Sequence, residues 1–413
     1  MSFFVLRRKL QHSTTSAMSV LRNGARVSAG LFRHSLHRSI RAPSRGPVAR
    51  SFKTHAPKIT APFAFAFDID GVLLHESRPI PGATETLRHL QAHQVPFILL
   101  TNGGGKHESE RVADLSDKLK VPLSVDNFVQ SHTPFQQLVG DLHDRNILVT
   151  GSNAEKIRTI AEQYGFKNVI TPADILLNYP SIWPFEPLME SVYASIARPL
   201  PKGDLKIDGI FVFNDPRDWA LDIQIIVDLL LSENGVLGTY SSNNGRSDLP
   251  DRGWQSDGQP PLFFSNPDLF WSAAYHQPRF GQGAFQGALR GVWSEVTGGS
   301  ELNCRTIGKP YTYTYEYAER VLNSHRLALL GQDASSDVLP LQRVYMVGDN
   351  PESDIRGANE YNSSDGALWK SILVRTGVWN PARGDPTHTP DWIADNVSDA
   401  VNYALKQESW KAF

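Results

Sequence analysis

Apolar runs that end in polar residues recur along the chain. The run at residues 62–67 leads directly into two carboxylates, Asp68 and Asp70. The run at residues 95–100 stays apolar until it reaches Thr101. Strands that are buried on both faces of a parallel sheet have this continuous apolar character. The pattern therefore predicts two parallel strands whose ends carry polar side chains.

Amphipathic stretches separate the apolar runs. Residues 82–94 and 108–120 have the spacing of helices, and strand-like and helix-like stretches alternate again between residues 146 and 407. Such alternation is typical of an α/β fold in which helices cover both faces of a parallel sheet. We therefore expect a doubly wound α/β protein.

A polar stretch at residues 241–261, rich in Gly, Asn, Asp and Pro, interrupts this alternation. It is too long for an ordinary connection between two elements. Two interpretations stay open. It is an excursion at a binding site, where Asn244, Arg246 or Trp254 contacts the substrate, or it is a surface insertion.

Basic residues dominate the first 58 positions, which contain nine Arg, three Lys and no acidic residue. Ser-rich sequence with apolar residues between arginines is typical of a mitochondrial transit peptide. A disordered tail and a nucleic-acid-binding arm are the alternatives. We expect residues 1–58 to direct import into the mitochondrial matrix and to be cleaved near Arg50. The remaining chain is acidic, with 29 basic and 43 acidic residues.

Several classes of protein are disfavoured by what the chain lacks. The single cysteine, Cys304, excludes an intramolecular disulfide framework and a thiolate zinc cluster. The chain has no apolar run of the length that a membrane span needs, so we expect no integral membrane segment. No basic, aromatic stripe follows residue 60, which argues against nucleic acid as a partner of the mature domain. His89 and His93 lack the intervening Glu of a zinc protease, and His132 and His276 are expected to be ordinary residues.

Acidic residues at the ends of predicted strands provide the candidate chemistry. The carboxyl ends of parallel strands meet at one edge of a sheet, where Asp68, Asp70, Asp349 and Asp354 can converge. Two carboxylates about 5 Å apart repel by roughly 3 kcal/mol at an effective dielectric constant near 20. Lys309 offsets only part of this repulsion. A hard divalent cation with oxygen ligands, such as Mg²⁺, fits such a cluster.

The spacing of the first two acids indicates paired roles. In extended backbone, residues i and i+2 project to the same side. A carboxylate beside a cation-bound phosphate can act as a nucleophile, and a carboxyl two residues later can act as acid and base. Asp68 and Asp70 have this arrangement.

Four segments, in order along the chain, resemble the motifs of the haloacid dehalogenase (HAD) superfamily. They are DIDGV (68–72), LLTNGG (99–104), IGKP (307–310) and VGDNPESD (347–354). PIPGATETLRHL after the first motif and SNPD (265–268) before the third resemble subclass IIA. The best fit is the mitochondrial branch related to the cat-eye-syndrome critical region protein. The resemblance covers about residues 62–400.

This resemblance implies a Rossmann-like core with an inserted C2-type cap. The core is expected at residues 62–132 and 263–413, and the α/β cap at residues 133–262, where it covers the site and selects the substrate. A homodimer formed through the cap stays open. The residues after the first motif include His75 and Glu76, which are unusual for the family, and the second motif reads TNGGG. These departures leave the substrate unassigned.

The resemblance also implies the composition of the Mg²⁺ site. Asp68 is expected to be the nucleophile that forms an aspartyl-phosphate and to bind the metal. Asp70 is expected to be the general acid and base and to offer its backbone carbonyl to the metal. Asp349 is the expected third ligand, and Asp354 is expected to brace the site from behind.

The same resemblance assigns the phosphoryl-binding groups. Thr101 is expected to donate a hydrogen bond to the phosphoryl group, helped by backbone N–H groups near Asn102 and Gly103. Lys309 is expected to orient Asp68 and to offset phosphate charge.

The implied function is hydrolysis of a small phosphate ester by a Mg²⁺-dependent phosphatase. The alternative is a catalytically weak or inactive binding or scaffold protein, and a link to glycerophospholipid metabolism stays open for either. Haloacid dehalogenation is disfavoured, because that chemistry does not need a leaving-group acid at Asp70. A phosphatidyltransferase is not supported, since the chain has neither membrane spans nor the corresponding motif.

Overall fold

Two parallel sheets organise the protein. The computed structural model describes residues 61–186, 190–271, 275–331 and 340–411, which all belong to one compact unit. The expected transit peptide, residues 1–58, lies outside them. In chain order the strands are β1 (Phe63–Phe67), β2 (Leu74–His75), β3 (Arg78–Pro79), β4 (Phe97–Leu100), β5 (Phe128–Val129), β6 (Asn146–Thr150), β7 (Asn168–Ile170), β8 (Gly209–Val212), β9 (Leu262–Phe264), β10 (Phe270–Trp271), β11 (Arg279–Phe280), β12 (Arg305–Thr306), β13 (Arg343–Gly348), β14 (Leu368–Val374) and β15 (Trp392–Ala394).

The helices connect these strands. They are α1 (Ala83–Ala92), α2 (Glu108–Leu119), α3 (Val139–Leu142), α4 (Ala154–Tyr164), α5 (Pro172–Asn178), α6 (Glu190–Ile196), α7 (Trp219–Leu231), α8 (Gln282–Thr297), α9 (Thr312–Leu330), α10 (Arg356–Glu360) and α11 (Val397–Gln407). None of the described helices has the length and apolarity needed to cross a membrane.

The first sheet has six parallel strands in the order β15-β14-β13-β1-β4-β5. Strands β4 and β5 lie on one side of β1, and strands β13, β14 and β15 lie on the other. The order therefore reverses between β1 and β13, and a crevice at the carboxyl ends of strands forms at such a switch point. Asp68 follows β1 and Asp349 follows β13, so both lie at this crevice.

Strand β1 shows why the sequence FAFAF folds at the centre of this sheet. Phe63, Phe65 and Phe67 project to one face, where they pack with residues of α1, α2 and α11. Ala64 and Ala66 project to the other face, where α9 lies across the sheet. All five residues are fully buried. Helices cover both faces, so the prediction of a doubly wound α/β fold is confirmed.

The second sheet has five parallel strands in the order β12-β9-β8-β6-β7. Its strands and helices come from the part of the chain between Thr133 and Thr306, which is called the insert below. Helix α8 belongs to it, because Phe285, Leu289 and Trp293 pack into the same hydrophobic cluster as α7. The expected cap boundary at residue 262 therefore falls inside the second sheet. It cuts β9 at its first residue, whereas pairing of β9 with β12 carries the second sheet to Thr306.

The polar stretch at residues 241–261 belongs to the insert and folds against its helices α7 and α8. It leads into the start of β9, so it lies towards the amino end of that strand. The Asn244 side chain donates to the Leu231 carbonyl at the end of α7, and Trp254 packs edge-on against Trp293 with ring centres 6.2 Å apart. Arg246 pairs with Asp248 within the stretch. These contacts favour the surface-insertion interpretation over the binding-site one.

Candidate active site

Acidic and basic side chains converge at the crevice between β1 and β13. Asp68, Lys309, Asp349 and Asp354 all lie there, and each is at most 8% exposed. Oxygen atoms of the three carboxylates lie within 4.8 Å of one another. The convergence of Asp68, Asp349, Asp354 and Lys309 that the sequence predicts is thus present in the fold.

Lys309 lies between two of these carboxylates. Its ammonium donates to Asp68 Oδ1 at 2.7 Å and to the Leu100 carbonyl at 2.8 Å, and it lies 2.6 Å from Asp354 Oδ1. Burial alone lowers the pKa of Lys309, but Asp354 and Asp68 outweigh it and hold that pKa above its usual range. Lys309 therefore stays cationic and fixes the orientation of Asp68.

Backbone amides hold the other two carboxylates. Asp354 Oδ2 accepts hydrogen bonds from the N–H groups of Asp349 and Asn350, both at 3.1 Å. Asp349 Oδ2 accepts from the N–H of Val378 at 2.6 Å. The side chain of Asp349 also fills the space beside Gly377, where a Cβ would come within 1.9 Å of Asp349 Oδ2. A residue larger than glycine at position 377 would displace this carboxylate.

The charge of the cluster is not balanced by Lys309 alone. Two carboxylates 4.8 Å apart repel by about 3.5 kcal/mol at an effective dielectric constant of 20. Burial raises the pKa of Asp68 to about 7 against the opposing effect of Lys309. Burial also raises the pKa of Asp349 well above its ordinary value, with further contributions from Asp68 and Asp354. A second cation would stabilise the ionised cluster.

The donor set fits Mg²⁺. Asp68, Asp349 and Asp354 each offer one carboxylate oxygen, and a hard divalent cation prefers oxygen ligands. Asp354 stands with the other two, whereas we expected it behind the metal ligands. Its oxygens are already engaged by Lys309 and by two backbone amides, and this agrees with a bracing role.

Asp70 lies beside the cluster but its side chain is not part of it. The side chain is 59% exposed, and Oδ2 lies 3.8 Å from Arg111 Nη2. The same oxygen lies 4.0 Å from the position that a Cβ on Gly103 would take. The carboxylate of Asp70 therefore faces the loop that follows β4 across an open space.

The loop after β4 places Thr101 and Gly103 at this space, and the N–H of Gly103 donates to Thr101 Oγ1 at 3.0 Å. Thr101 Oγ1 and Asp70 Oδ2 lie 3.3 Å and 4.0 Å from the position that a Cβ on Gly103 would take. The Thr101 hydroxyl accepts this bond and keeps its proton free to donate.

The side chain of Asn102 binds the backbone of Lys309, whereas the expected contact with the phosphoryl group involves backbone N–H groups near Asn102 and stays a prediction. Its side chain donates to the Lys309 carbonyl at 2.8 Å and accepts from the Lys309 N–H at 2.7 Å. It also donates to both oxygens of Asp268, at 3.1 Å each, while Asn266 donates to the Asn102 carbonyl at 2.9 Å. Asn102 thus clamps the backbone of Lys309.

Asp268 and Asn266 were not among the expected site residues. They belong to the SNPD segment, which the sequence resemblance used as a subclass mark without giving its residues a role. Burial raises the pKa of Asp268 to about 6, with Lys309 opposing it. A sequence signal was present, since the polar Ser-Asn-Pro-Asp segment directly follows the apolar run of β9.

The insert contacts the loop that follows β4. Asn214, just after β8, accepts a hydrogen bond from the Ser152 N–H at 2.7 Å and donates to the Ser152 hydroxyl at 2.9 Å. A Cβ on Gly105 would come within 2.5 Å of Asn214 Nδ2. The carboxyl edge of the second sheet therefore lies directly over the loop after β4.

Two family models match this chain. A model described as haloacid dehalogenase-like hydrolase matches residues 65–167, and one described as HAD-hydrolase-like matches residues 306–400. Together they contain Asp68, Thr101, Lys309 and Asp349.

Relatives of known sequence match most of the chain. A mitochondrial hydrolase of Saccharomyces cerevisiae is 40% identical over 375 residues, which is 87% of this chain and 98% of the relative. A cardiolipin synthase (CMP-forming)/mitochondrial hydrolase fusion protein of Schizosaccharomyces pombe is 40% identical over 356 residues, or 84% of this chain. The match spans 54% of the fusion protein.

Solved structures with the same fold include a 4-nitrophenylphosphatase from Thermotoga maritima. It is 16% identical, with a TM-score of 0.53, and the match covers 82% of this chain and 95% of that one. A p-nitrophenyl phosphatase from Archaeoglobus fulgidus is 17% identical, with a TM-score of 0.52 over 84% of this chain and all of that one. The motifs, the fold and the identity to the yeast protein agree: the chain belongs to the haloacid dehalogenase-like hydrolases and is a hydrolase.

Proposed function

We propose that the protein is a Mg²⁺-dependent phosphatase that hydrolyses a small phosphate ester through an aspartyl-phosphate on Asp68. The observation that carries this proposal is the buried cluster in which Lys309 contacts Asp68 and Asp354, with Asp349 within 4.8 Å. Asp68, Asp349 and the backbone carbonyl of Asp70 would hold the cation, and Asp354 would brace the site through Lys309 and the backbone amides that it accepts from. When bound, Mg²⁺ neutralises the charge of the carboxylates and of the phosphate.

The first step transfers the phosphoryl group to the protein. The Asp68 carboxylate attacks phosphorus, and the bond between phosphorus and the leaving oxygen breaks. Asp70 donates its proton to that oxygen, so the alcohol leaves neutral. Lys309 keeps Asp68 oriented and supplies positive charge beside the reacting group.

The second step regenerates the protein. Asp70, now a carboxylate, takes a proton from water, and the water oxygen attacks phosphorus. The bond between phosphorus and Asp68 breaks, which releases inorganic phosphate. The exposure of the Asp70 side chain supports this role, because solvent can reach it.

The insert supports a cap function. Its sheet presents Asn214 and Ser152 over the loop after β4, so a substrate must fit between the two layers. A pocket of this kind selects the alcohol part of the ester. The polar stretch at residues 241–261 packs on the insert through Trp293 and Leu231, so it gives no support to a silenced cap.

The relatives support a mitochondrial location and suggest where to seek the substrate. Both curated relatives are named as mitochondrial hydrolases, and one is fused to a cardiolipin synthase. We therefore favour phosphate monoesters of glycerophospholipid metabolism. Import of the full chain into isolated mitochondria, with shortening near Arg50, tests the location.

A panel of phosphate esters tests the function. The full chain, and a form that starts at residue 55, are assayed with Mg²⁺ on p-nitrophenyl phosphate, glycerol phosphates and phosphorylated lipid headgroups. We expect turnover that EDTA removes and that Asp68→Asn abolishes. A wild-type protein that binds Mg²⁺ but turns over no ester would instead favour the scaffold alternative.

A further inference from the structure

A chain of buried hydrogen bonds joins the loop after β4 to the insert. It runs through His132, where the backbone passes from the first sheet into the insert. We expected His132 to be an ordinary residue, but it is fully buried and its ring packs against Tyr164 and Phe213. Its hydrogen-bond partners are Gly105 in the loop and Tyr164 in helix α4, and the Tyr164 hydroxyl extends the chain to Glu108 in helix α2.

The bonds have one consistent direction. The N–H of Gly105 donates to His132 Nε2 at 3.3 Å, so this nitrogen carries no proton. The proton must then be on Nδ1, which lies 2.7 Å from the Tyr164 hydroxyl and donates to it. The hydroxyl in turn donates to Glu108 Oε1. Thr133 donates to the same oxygen at 2.6 Å.

The pKa shifts of Glu108 and His132 agree with the donors and acceptors assigned above. Burial raises the pKa of Glu108, but His132 and the hydroxyl donors Thr133 and Tyr164 lower it by more, so the group stays ionised. Burial lowers the pKa of His132 to about 4, so its ring is neutral at neutral pH. A neutral ring can accept from Gly105 and donate to Tyr164 at the same time.

The segment before the insert holds the rest of the loop. The Ser131 N–H donates to the Gly103 carbonyl at 3.2 Å, and the Gln130 side chain donates to the Lys106 carbonyl at 2.8 Å. A Cβ on Gly104 would come within 2.6 Å of Ser131 Oγ and 3.0 Å of the His132 ring. The loop from Gly103 to Lys106 is thus fitted closely against residues 130–132.

We infer that His132 is a positioning residue that holds the loop from Gly103 to Lys106 in register with helix α4, through Tyr164 and Glu108. The loop lies beside Asp70, where the phosphoryl group binds in the proposed function, and the inference rests on that function for this step alone. A break in the chain at Tyr164 would leave Asp68 and Lys309 in place but loosen the backbone that receives the phosphoryl group.

Tyr164→Phe, made in the full-length protein, tests this inference, with Tyr193→Phe as the matched control. Tyr193 is also a tyrosine of the insert whose hydroxyl donates to a carboxylate, Asp218 at 3.1 Å, but it has no bond to the loop. Loss of one hydrogen bond predicts that KM for p-nitrophenyl phosphate, and Ki for inorganic phosphate, rise together by about fivefold to tenfold in Tyr164→Phe. We expect kcat to change less, and Tyr193→Phe to leave both constants unchanged.

A spectroscopic measurement needs no turnover. In full-length protein labelled with ¹⁵N at histidine and glycine, His132 should show the neutral tautomer protonated at Nδ1. The Gly105 amide signal should shift in Tyr164→Phe but not in Tyr193→Phe. A His132 proton on Nε2, or equal effects of the two variants on KM and Ki, would overturn the inference. If the wild type hydrolyses no ester, the proposed function fails, whereas the tautomer and the Gly105 shift still decide the positioning role.

Discussion

Replacing Lys309 with Met removes the only ammonium group that the described residues bring into the carboxylate cluster. Lys309 is 1% exposed and lies 2.7 Å from Asp68 and 2.6 Å from Asp354. Met has a similar length and no charge, so Lys309→Met changes the electrostatics of the cluster more than its packing. The variant leaves Asp68, Asp349 and Asp354 buried without a counter-charge in Mg²⁺-free protein.

The free energy of unfolding that Lys309→Met loses can be calculated in two ways. Removing one partner of a buried ion pair costs about 3–5 kcal/mol of unfolding free energy. The carboxylates can lower their mutual repulsion by taking up a proton. Protonating an Asp of ordinary pKa at pH 7 costs about 4 kcal/mol. The two estimates agree. Because protonation becomes easier in acid, the loss should shrink to roughly 1–2 kcal/mol at pH 5.

Urea unfolding followed by circular dichroism, in EDTA and in Mg²⁺, measures this loss. Lys118→Met is the matched control, since Lys118 pairs with Asp114 at 2.8 Å on the partly exposed surface of α2. A pair of that kind contributes about 0.2–1 kcal/mol. Mg²⁺ should stabilise Lys309→Met by more than it stabilises the wild type. If Lys309→Met costs no more than Lys118→Met in EDTA, the charge imbalance inferred for the cluster is wrong.

Three further changes test other parts of the structure. Asp70→Asn should lower kcat for p-nitrophenyl phosphate by about 10²–10⁴-fold. It should leave the Mg²⁺-induced rise in Tm intact, because the Asp70 side chain lies outside the carboxylate cluster. Loss of the Mg²⁺-induced rise in Tm together with kcat would contradict this. Asp174→Asn leaves the buried Arg158 guanidinium, which is 1% exposed and 2.7 Å from Asp174, without its carboxylate, and should cost about 3–5 kcal/mol in urea unfolding. Asp395→Asn, which removes the exposed partner of Arg375, is the control, and an equally small loss in both variants would argue against this cost. Burial raises the pKa of Asp222 to about 8, so unfolding releases its proton, and the contribution of Asp222 to the free energy of unfolding falls as pH rises from about 4 to 8. Asp222→Asn should therefore raise Tm at pH 8 but not at pH 4. A gain in Tm independent of pH would refute this.

The strands that carry the site were predictable because they are short, apolar and followed by polar residues. β1 lies within the predicted run at residues 62–67 and leads into Asp68, and β13 leads into Asp349 in the fourth motif. Parallel strands end at one edge, so the convergence of these acids follows from the fold class. The sequence alone therefore predicts which of these acids lie at that edge.

The boundary of the insert could not be predicted from periodicity. The two sheets use the same alternation of strand and helix, and a local pattern does not say which sheet a strand joins. β12 has only two residues, Arg305 and Thr306, and so has no pattern of its own. Its pairing with β9 is a contact between distant parts of the chain that only the fold reveals.

Asn102 and His132 show the same limit for the site. Asn102 clamps Lys309 across 207 positions of sequence, and its neighbourhood in the chain resembles a phosphate-binding loop. His132 lies in a short polar segment after β5, where nothing local indicates that Gly105 and Tyr164 will be its partners. Roles that depend on two or three distant elements appear only when those elements are packed together.

The most direct measurement is the detection of a phosphoryl group on Asp68 during turnover. The protein is mixed with a substrate from the ester panel and Mg²⁺, quenched in acid within the first turnover, digested and analysed by mass spectrometry. We expect the peptide that contains Asp68 to carry one phosphoryl group. Turnover without any phosphorylated Asp68 peptide, or full activity in Asp68→Asn, would contradict the assignment of Asp68 as the nucleophile.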